Sequence, residues 1–293
     1  MADGTASGHL RPGMWWKSAR IRLDLGQRAR VMGILNVTPD SFSDGGRHAS
    51  LAGALEHARR MIAEGAEIID IGGESTRPGA AEVSVKEEIA RTRTVVAALR
   101  AEWDGLLSID TMKAAVAAAA LEAGADLVND VSGLTADPAM AGVCAKGGCG
   151  VVVMHMQGDP RTMQLSPCYD DVVAEVRGFF EERLAALVAA GIDPEAICFD
   201  PGIGFGKSVE HNLALLRALP ELGVGGRPLL LGVSRKSFIG KVLGSPDLAD
   251  RAWPTVAITA RAREAGVMIH RVHDVKPNVE AVRMVEAIML GVG

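Results

Sequence analysis

Cysteine is scarce and unpatterned. The four cysteines of this 293-residue chain (Cys144, Cys149, Cys168 and Cys198) show no C-x-x-C spacing and lie in or beside mostly apolar stretches. That pattern argues against a zinc cluster or a disulfide framework and favours buried free thiols. Histidines at H-x-x-x-H spacing are missing as well, so Mg²⁺ riding on a phosphate is the metal to expect. No strictly apolar run exceeds Ala114–Leu121, far short of the ~20 residues a membrane-spanning helix needs. Basic residues are not in excess: 31 Lys and Arg against 36 Asp and Glu give a net charge of -5. No global positive field therefore draws nucleic acid or an anionic membrane, and an anionic ligand must be held by a few placed residues. The first twenty residues lack the basic-then-apolar order of a secretory signal and read as a loose tail, which points to a cytoplasmic protein. The G-x-x-x-x-G-K-[ST] loop is absent, DPGIGFGK (200–207) having a different spacing, and no G-x-G-x-x-G opens a βαβ unit near the start. Nucleoside triphosphate and dinucleotide readings are accordingly weak.

What the chain does have is core-forming material, 48% apolar against 23% charged residues, and a regular alternation. Candidate strands are ARVMGILNV (the 30–38 region), EIIDIGG (67–73), LLSID (106–110), DLVNDVS (126–132), GVVVMH (150–155), AICFDP (196–201), PLLLGVS (228–234) and MIHRVHDV (268–275). Helical patterns such as LAGALEHARRMIAEG and VKEEIARTRTVVAALRAEW lie between them, several closing at a glycine suited to a C-cap. Eight strands with helical crossovers predict an α/β fold, a single-domain (β/α)₈ TIM barrel over residues 30–293 after an N-terminal extension of residues 1–29. An open doubly wound sheet is the alternative. No Pro/Ser linker divides the chain.

In a barrel the catalytic groups stand at the C-terminal strand ends, and here those ends are polar: Asn36, Asp70, Asp110, Asn129 with Asp130, His155, Asp200, Ser234 with Lys236 beyond, and Arg271 with His273. Asp110 and Asp200 close apolar strands, where an unpaired carboxylate is costly, so each needs donors from protein or ligand. Asp110-Thr111 also reads as a helix cap. With Asn129 and Lys236, the two carboxylates supply acceptors, an amide and a cation suited to a flat heterocycle with an amino-pyrimidinone edge. Arg271 and His273, at i and i+2, face one side and make an anion clamp, while His270 faces the other. Two long glycine-bearing loops, NVTPDSFSDGGRH (36–48) and GGESTRPGAAEVS (72–84), read either as surface turns or as segments that close over the mouth.

Eight motifs in order carry a resemblance: GILNVTPDSFSDGG (33–46), DIGGESTRPGA (70–80), SIDT (108–111), GADLVNDVSGL (124–134), VVMHMQGDPRTMQ (152–164), FDPGIGFGKSVEHN (199–212), GVSRKSFIG (232–240) and RVHDV (271–275). From about residue 30 to 290 the chain resembles the dihydropteroate synthases, folate-pathway pterin-binding barrels that sulfonamides inhibit. The resemblance implies a transferase that condenses 6-hydroxymethyl-7,8-dihydropterin diphosphate with 4-aminobenzoate. Asp110, Asn129, Asp200 and Lys236 would then hold the pterin, with Met154 and Phe205 as apolar walls. Asn36, Arg271 and His273 would hold the diphosphate, Asn36 through Mg²⁺. Thr76, Arg77, Pro78 and Ser237 would shape the aminobenzoate pocket, and Asp40 with the first loop would close over the leaving group. The same resemblance implies a homodimer built on helices near the chain's end.

Ser208 stands where the motif often has threonine, and RAWPTVAITARAREAG (251–266) differs from the family's small-residue-rich stretch, which bears on oligomeric state rather than chemistry. The alternatives are a pterin-binding methyltransferase, which would not need TPDSFSDGG, STRPG and SRKSF together, and a catalytically silent pterin-binding paralogue, expected to lose Asn36, Arg271 or His273. The intact STRPG and RKSF segments imply sulfonamide sensitivity. The length leaves no room for a fused pyrophosphokinase domain.

Overall fold

The structure is a computed structural model that describes residues 13–37, 46–75, 82–159 and 162–291. Short β-branched and aliphatic runs form its strands, and the Ala-, Leu- and charge-rich stretches between them form helices. In chain order these are β1 (Trp15–Lys17), β2 (Arg22–Asp24), β3 (Arg30–Asn36), α1 (Gly46–Ala63), β4 (Ile68–Gly72), α2 (Val85–Glu102), β5 (Leu106–Asp110), α3 (Ala114–Glu122), β6 (Leu127–Asp130), α4 (Met140–Gly147), β7 (Gly150–Met154), α5 (Val172–Ala189), β8 (Ile197–Asp200), α6 (Val209–Arg217), β9 (Leu230–Leu231), α7 (Ser237–Leu243), α8 (Ala252–Glu264), β10 (Ile269–Val272) and α9 (Val275–Leu290).

Strands β3 to β10 make one parallel sheet in the order β8-β7-β6-β5-β4-β3-β10-β9. Its two ends meet: Phe199 of β8 bridges Leu229, and the Phe199 N–H donates to the Pro228 carbonyl at 3.0 Å. The sheet is thus closed into the eight-stranded α/β barrel that the alternation predicts, not an open doubly wound sheet. One strand is much shorter than its apolar run: the chain leaves the ladder after Leu231 and turns through Arg235, whose φ is +58°.

Alternate residues face the helices and the barrel interior. Ile69, Ile71, Leu107, Ile109, Val128, Val151, Val153 and Phe199, all fully buried, lie under the helices, and Phe199 stacks on Phe180 of α5 with ring centroids 4.5 Å apart. Three of the helices, α2, α5 and α6, begin on side-chain caps that satisfy otherwise unpaired N–H groups: Ser84 accepts from Glu87, Asp171 from Val173 and Ala174, and Ser208 from His211.

Part of the expected loose tail is built structure. Strands β1 and β2 pair antiparallel and cover the N-terminal ends of β7 and β8. Trp16 is buried and its Nε1–H donates to the Ala196 carbonyl at 2.9 Å. Lys17–Asp193 and Arg22–Glu195 ion pairs flank it at 2.6 and 2.8 Å, and the Arg22 guanidinium lies over Trp15. The paired tryptophans sit over a barrel end because one indole is large enough to plug it and still find an acceptor. Three cysteines are buried free thiols, whereas Cys168 is exposed, against the expectation that all four are buried. No helix among the described residues is long and apolar enough to cross a membrane.

Candidate active site at the barrel mouth

Register alone gathers the polar strand ends. Asn36 pairs with Gly72, Gly72 with Asp110 and Asp110 with Asn129, so these residues occupy one interior row across β3 to β6. Met154 stands opposite Asp200 across β7 and β8. One row deeper, Ile34 pairs with Asp70 and Asp70 with Ser108, and a further row down Arg271 pairs with Met32. Asp70 is therefore an interior residue of β4 rather than its end, since the strand continues to Gly72.

Arg271 organises the charge. Its Nε donates to Asp70 Oδ2 and its Nη2 to Asp110 Oδ2, both at 2.6 Å, and Asp70 Oδ2 also accepts from Asn129 Nδ2 at 3.0 Å. Burial works against the guanidinium's charge, yet Asp70 and Asp110 hold it above its ordinary range. One cation shared by two carboxylates leaves acid in surplus: burial pushes the Asp110 carboxyl up to about 7, with Arg271 pulling it down and Asp70 adding to the rise. Burial likewise raises Asp200, which Lys236 opposes. The helix-capping role open to Asp110 falls elsewhere, because the first N–H of α3, on Ala114, donates to Asp137. Asp200 divides its work, one oxygen accepting from the Gly202 N–H at 2.7 Å.

Lys236 comes in from the loop after β9. Arg235 keeps its left-handed conformation through an ion pair with Asp274 and an N–H bond to Thr255 Oγ1, a constraint of the kind found where a neighbour must be aimed. The Lys236 ammonium donates to the Ile203 carbonyl and lies 4.5 Å from the Phe205 ring centroid. Burial lowers it to about 8, Asp200 working the other way. His273, one residue past β10, has Nδ1 2.9 Å from Ser234 Oγ, and its N–H donates to the same oxygen. His270 is turned to the helix side and buried, as alternation requires.

The expected site residues Asn36, Asp110, Asn129, Met154, Asp200, Phe205, Lys236, Arg271 and His273 all stand at the C-terminal end of the barrel, and Ser237 opens α7 beside them. Asp40, Thr76, Arg77 and Pro78 lie outside the described residues. Sequence reasoning missed the part played by Asp70, although a carboxylate inside IIDIG carries the same signal as Asp110. It also missed Lys207 and the bond from Ser234 to His273.

A family model described as "Pterin binding enzyme" matches residues 32–273. The dihydropteroate synthase of a Synechocystis species is 51% identical over 265 residues, covering 90% of this chain and 92% of that protein. A Yersinia pestis dihydropteroate synthase solved with a sulfonamide drug superposes with a TM-score of 0.88 at 50% identity, covering 94% of this chain and 99% of the other. The Xanthomonas albilineans enzyme solved with 4-aminobenzoic acid also gives 0.88, at 45% identity and 94% and 98% coverage. The chain belongs to the pterin-binding enzymes and, among them, to the dihydropteroate synthases.

Proposed function

We propose that this chain condenses 6-hydroxymethyl-7,8-dihydropterin diphosphate with 4-aminobenzoate, forming 7,8-dihydropteroate and releasing diphosphate. The observation that carries the reading is the interior constellation of Asp110, Asn129, Asp200, Lys236 and Arg271 at one end of a closed barrel. Two acid groups, an amide and an ammonium match the donors and acceptors of an aminopyrimidinone, and Met154 and Phe205 supply apolar contact for its faces. Aminobenzoate enters on the Ser237 side of the mouth.

In this mechanism diphosphate departs first, the neutral aryl amine captures the pterin-methyl cation, and the anilinium so formed loses one proton to water or the released diphosphate. Asp200 and the ionised form of Asp110 offset the positive charge spread into the ring, and Arg271 and His273 face the leaving group. Holding both partners in a water-poor mouth supplies the rest through placement, so no strong base is required. The structure fits Mg²⁺ held by one residue and the substrate. Among the described residues no three His, Cys, Asp or Glu side chains form a metal-ligand cluster. A Cβ on Gly72 would stand 3.7 Å from both Asn36 Oδ1 and Asp110 Cβ, so its bare backbone keeps the space beside Asn36 open. Asn36 would give an amide oxygen and the diphosphate the others, as suits Mg²⁺. When bound, the ion neutralises charge on the leaving diphosphate.

The working unit in this reading is a cytoplasmic homodimer, a state supported by apolar side chains left in water on α8 and α9: Trp253, Met284 and Ile288. The test is diphosphate release with Mg²⁺, with and without 4-aminobenzoate, while dihydropteroate is followed by mass. Aminobenzoate-dependent product supports the synthase, and sulfonamides then compete with aminobenzoate. Tight pterin binding without product would instead identify a silent paralogue.

A further inference from the structure

Below the Phe205 wall lies an ammonium that the mechanism does not use. Lys207, in the segment linking β8 to α6, is 3% exposed. Its Nζ donates to the Phe205 carbonyl at 3.0 Å and the His155 carbonyl at 3.3 Å, and lies 3.0 Å from His155 Nδ1. An ammonium has three N–H groups, and these three protein acceptors use all of them. Lys207 therefore has none to offer a substrate. Accepting through Nδ1 requires a neutral imidazole, and burial keeps His155 so by lowering it to about 3.

The surroundings show what the three bonds join. The turn 200–207 lies hard against the chain after β7: a Cβ on Gly202 would come 1.9 Å from the His155 carbonyl oxygen, and one on Gly206 2.4 Å from that of Gln157. Tyr169, the chain's single tyrosine, donates its O–H to the Gly206 carbonyl at 2.8 Å, and its ring centroid is 5.9 Å from Lys207 Nζ. The same turn presents the Phe205 ring and the Ile203 carbonyl that receives Lys236. Burying an ammonium with no carboxylate in contact among the described residues is costly, and burial lowers Lys207 to about 7; what the charged form secures below that pH is the position of this turn.

We propose that Lys207 is a positioning residue for pterin binding, its buried ammonium tying the turn that carries Phe205 to the end of β7. The proposal rests on the reading of Phe205 as a pterin wall. A double-mutant cycle on the full chain separates the two, with KM for the dihydropterin diphosphate and for 4-aminobenzoate measured on Phe205→Ala, Lys207→Met and their combination. The expected result is a rise of about tenfold in pterin KM for each single variant, a smaller change in aminobenzoate KM, and less than about twofold further loss when Lys207→Met is added to Phe205→Ala. An unchanged pterin KM in Phe205→Ala would overturn the wall reading and the proposal with it. A raised KM there, with no change in Lys207→Met or with fully additive losses, would overturn the proposal alone. A measurement on the unmodified protein guards against a variant that fails to fold: in protein labelled with ¹³C-tyrosine, saturation with 6-hydroxymethylpterin shifts the single Tyr169 ring signal, and an unmoved signal would refute the coupling.

Discussion

Replacing Arg271 with methionine keeps most of the side chain's length and removes the cation shared by Asp70 and Asp110. Both carboxylates lie inside the barrel, and each loses a 2.6 Å charged hydrogen bond. Removing one partner of a buried pair costs about 3–5 kcal/mol, and the 21% exposure of the Arg271 side chain places this case at the lower end of that range. The loss depends on pH. Asp110 keeps its proton in the folded protein up to about 7, against an ordinary value of 3.8. Its contribution to stability is therefore complete below pH 3.8 and is lost as pH rises towards 7. Arg271 is what pulls that carboxyl down, so without it the proton is held to still higher pH and the variant loses stability over a wider range. Urea unfolding at pH 5.5 and pH 8 measures the difference, with the slopes compared to confirm a common unfolded state. A larger loss at pH 8 is expected. A loss under about 1 kcal/mol at both values, the worth of an exposed pair, or one equal at both, would refute the shared-cation account.

Lys236, lowered to about 8 chiefly by burial, is an ammonium only below that pH, so affinity for 6-hydroxymethylpterin should drop by up to about tenfold per pH unit above it; calorimetric titration at pH 7 and 9.5 checks this, and equal affinities would sink it. Trp16→Ala empties the barrel plug and should cost about 3–5 kcal/mol in denaturant unfolding while kcat/KM stays unchanged, because the hairpin lies at the end away from the site. Lys113 binds Glu74, Glu88 and the Val83 carbonyl at 2.7, 2.7 and 2.6 Å. Lys113→Met strands the buried Glu88 carboxylate at a cost of about 3 kcal/mol, and adding Glu88→Gln should restore more than half of it in thermal melts.

The barrel was legible because the strands read as short apolar runs ending in polar residues, and the helices as longer runs, several of them closing at a glycine. The mouth was legible for the same reason: Asp110, Asn129 and Asp200 stand out against apolar neighbours. Sequence does not say how far a ladder extends, so Asp70 reads as a strand end although the pairing of Ile71 and Gly72 with β5 makes it interior. Nor does it show partners across the ring. Arg271 reads as an anion clamp, and only closure of the barrel brings it onto carboxylates 201 and 161 residues away. Lys207 was invisible for a related reason: its acceptors are mostly backbone carbonyls, which every residue has. The strands of the hairpin were hidden in a polar leader, although its adjacent tryptophans, Trp15 and Trp16, do point to packing over a barrel end.

Ring closure also sets an order of assembly. Strand β10 sits between β3 and β9, so the first barrel strand to leave the ribosome must wait for the last before either has its full set of neighbours. Until β10 emerges, Asp70 and Asp110 have no Arg271, and a nascent barrel of seven strands carries two interior acids without their cation. Burying those acids unpaired during that interval would be costly. The group that balances the mature pocket thus arrives last, and a chain stalled before residue 271 would have nearly all of the barrel's strands and none of the pocket's charge balance.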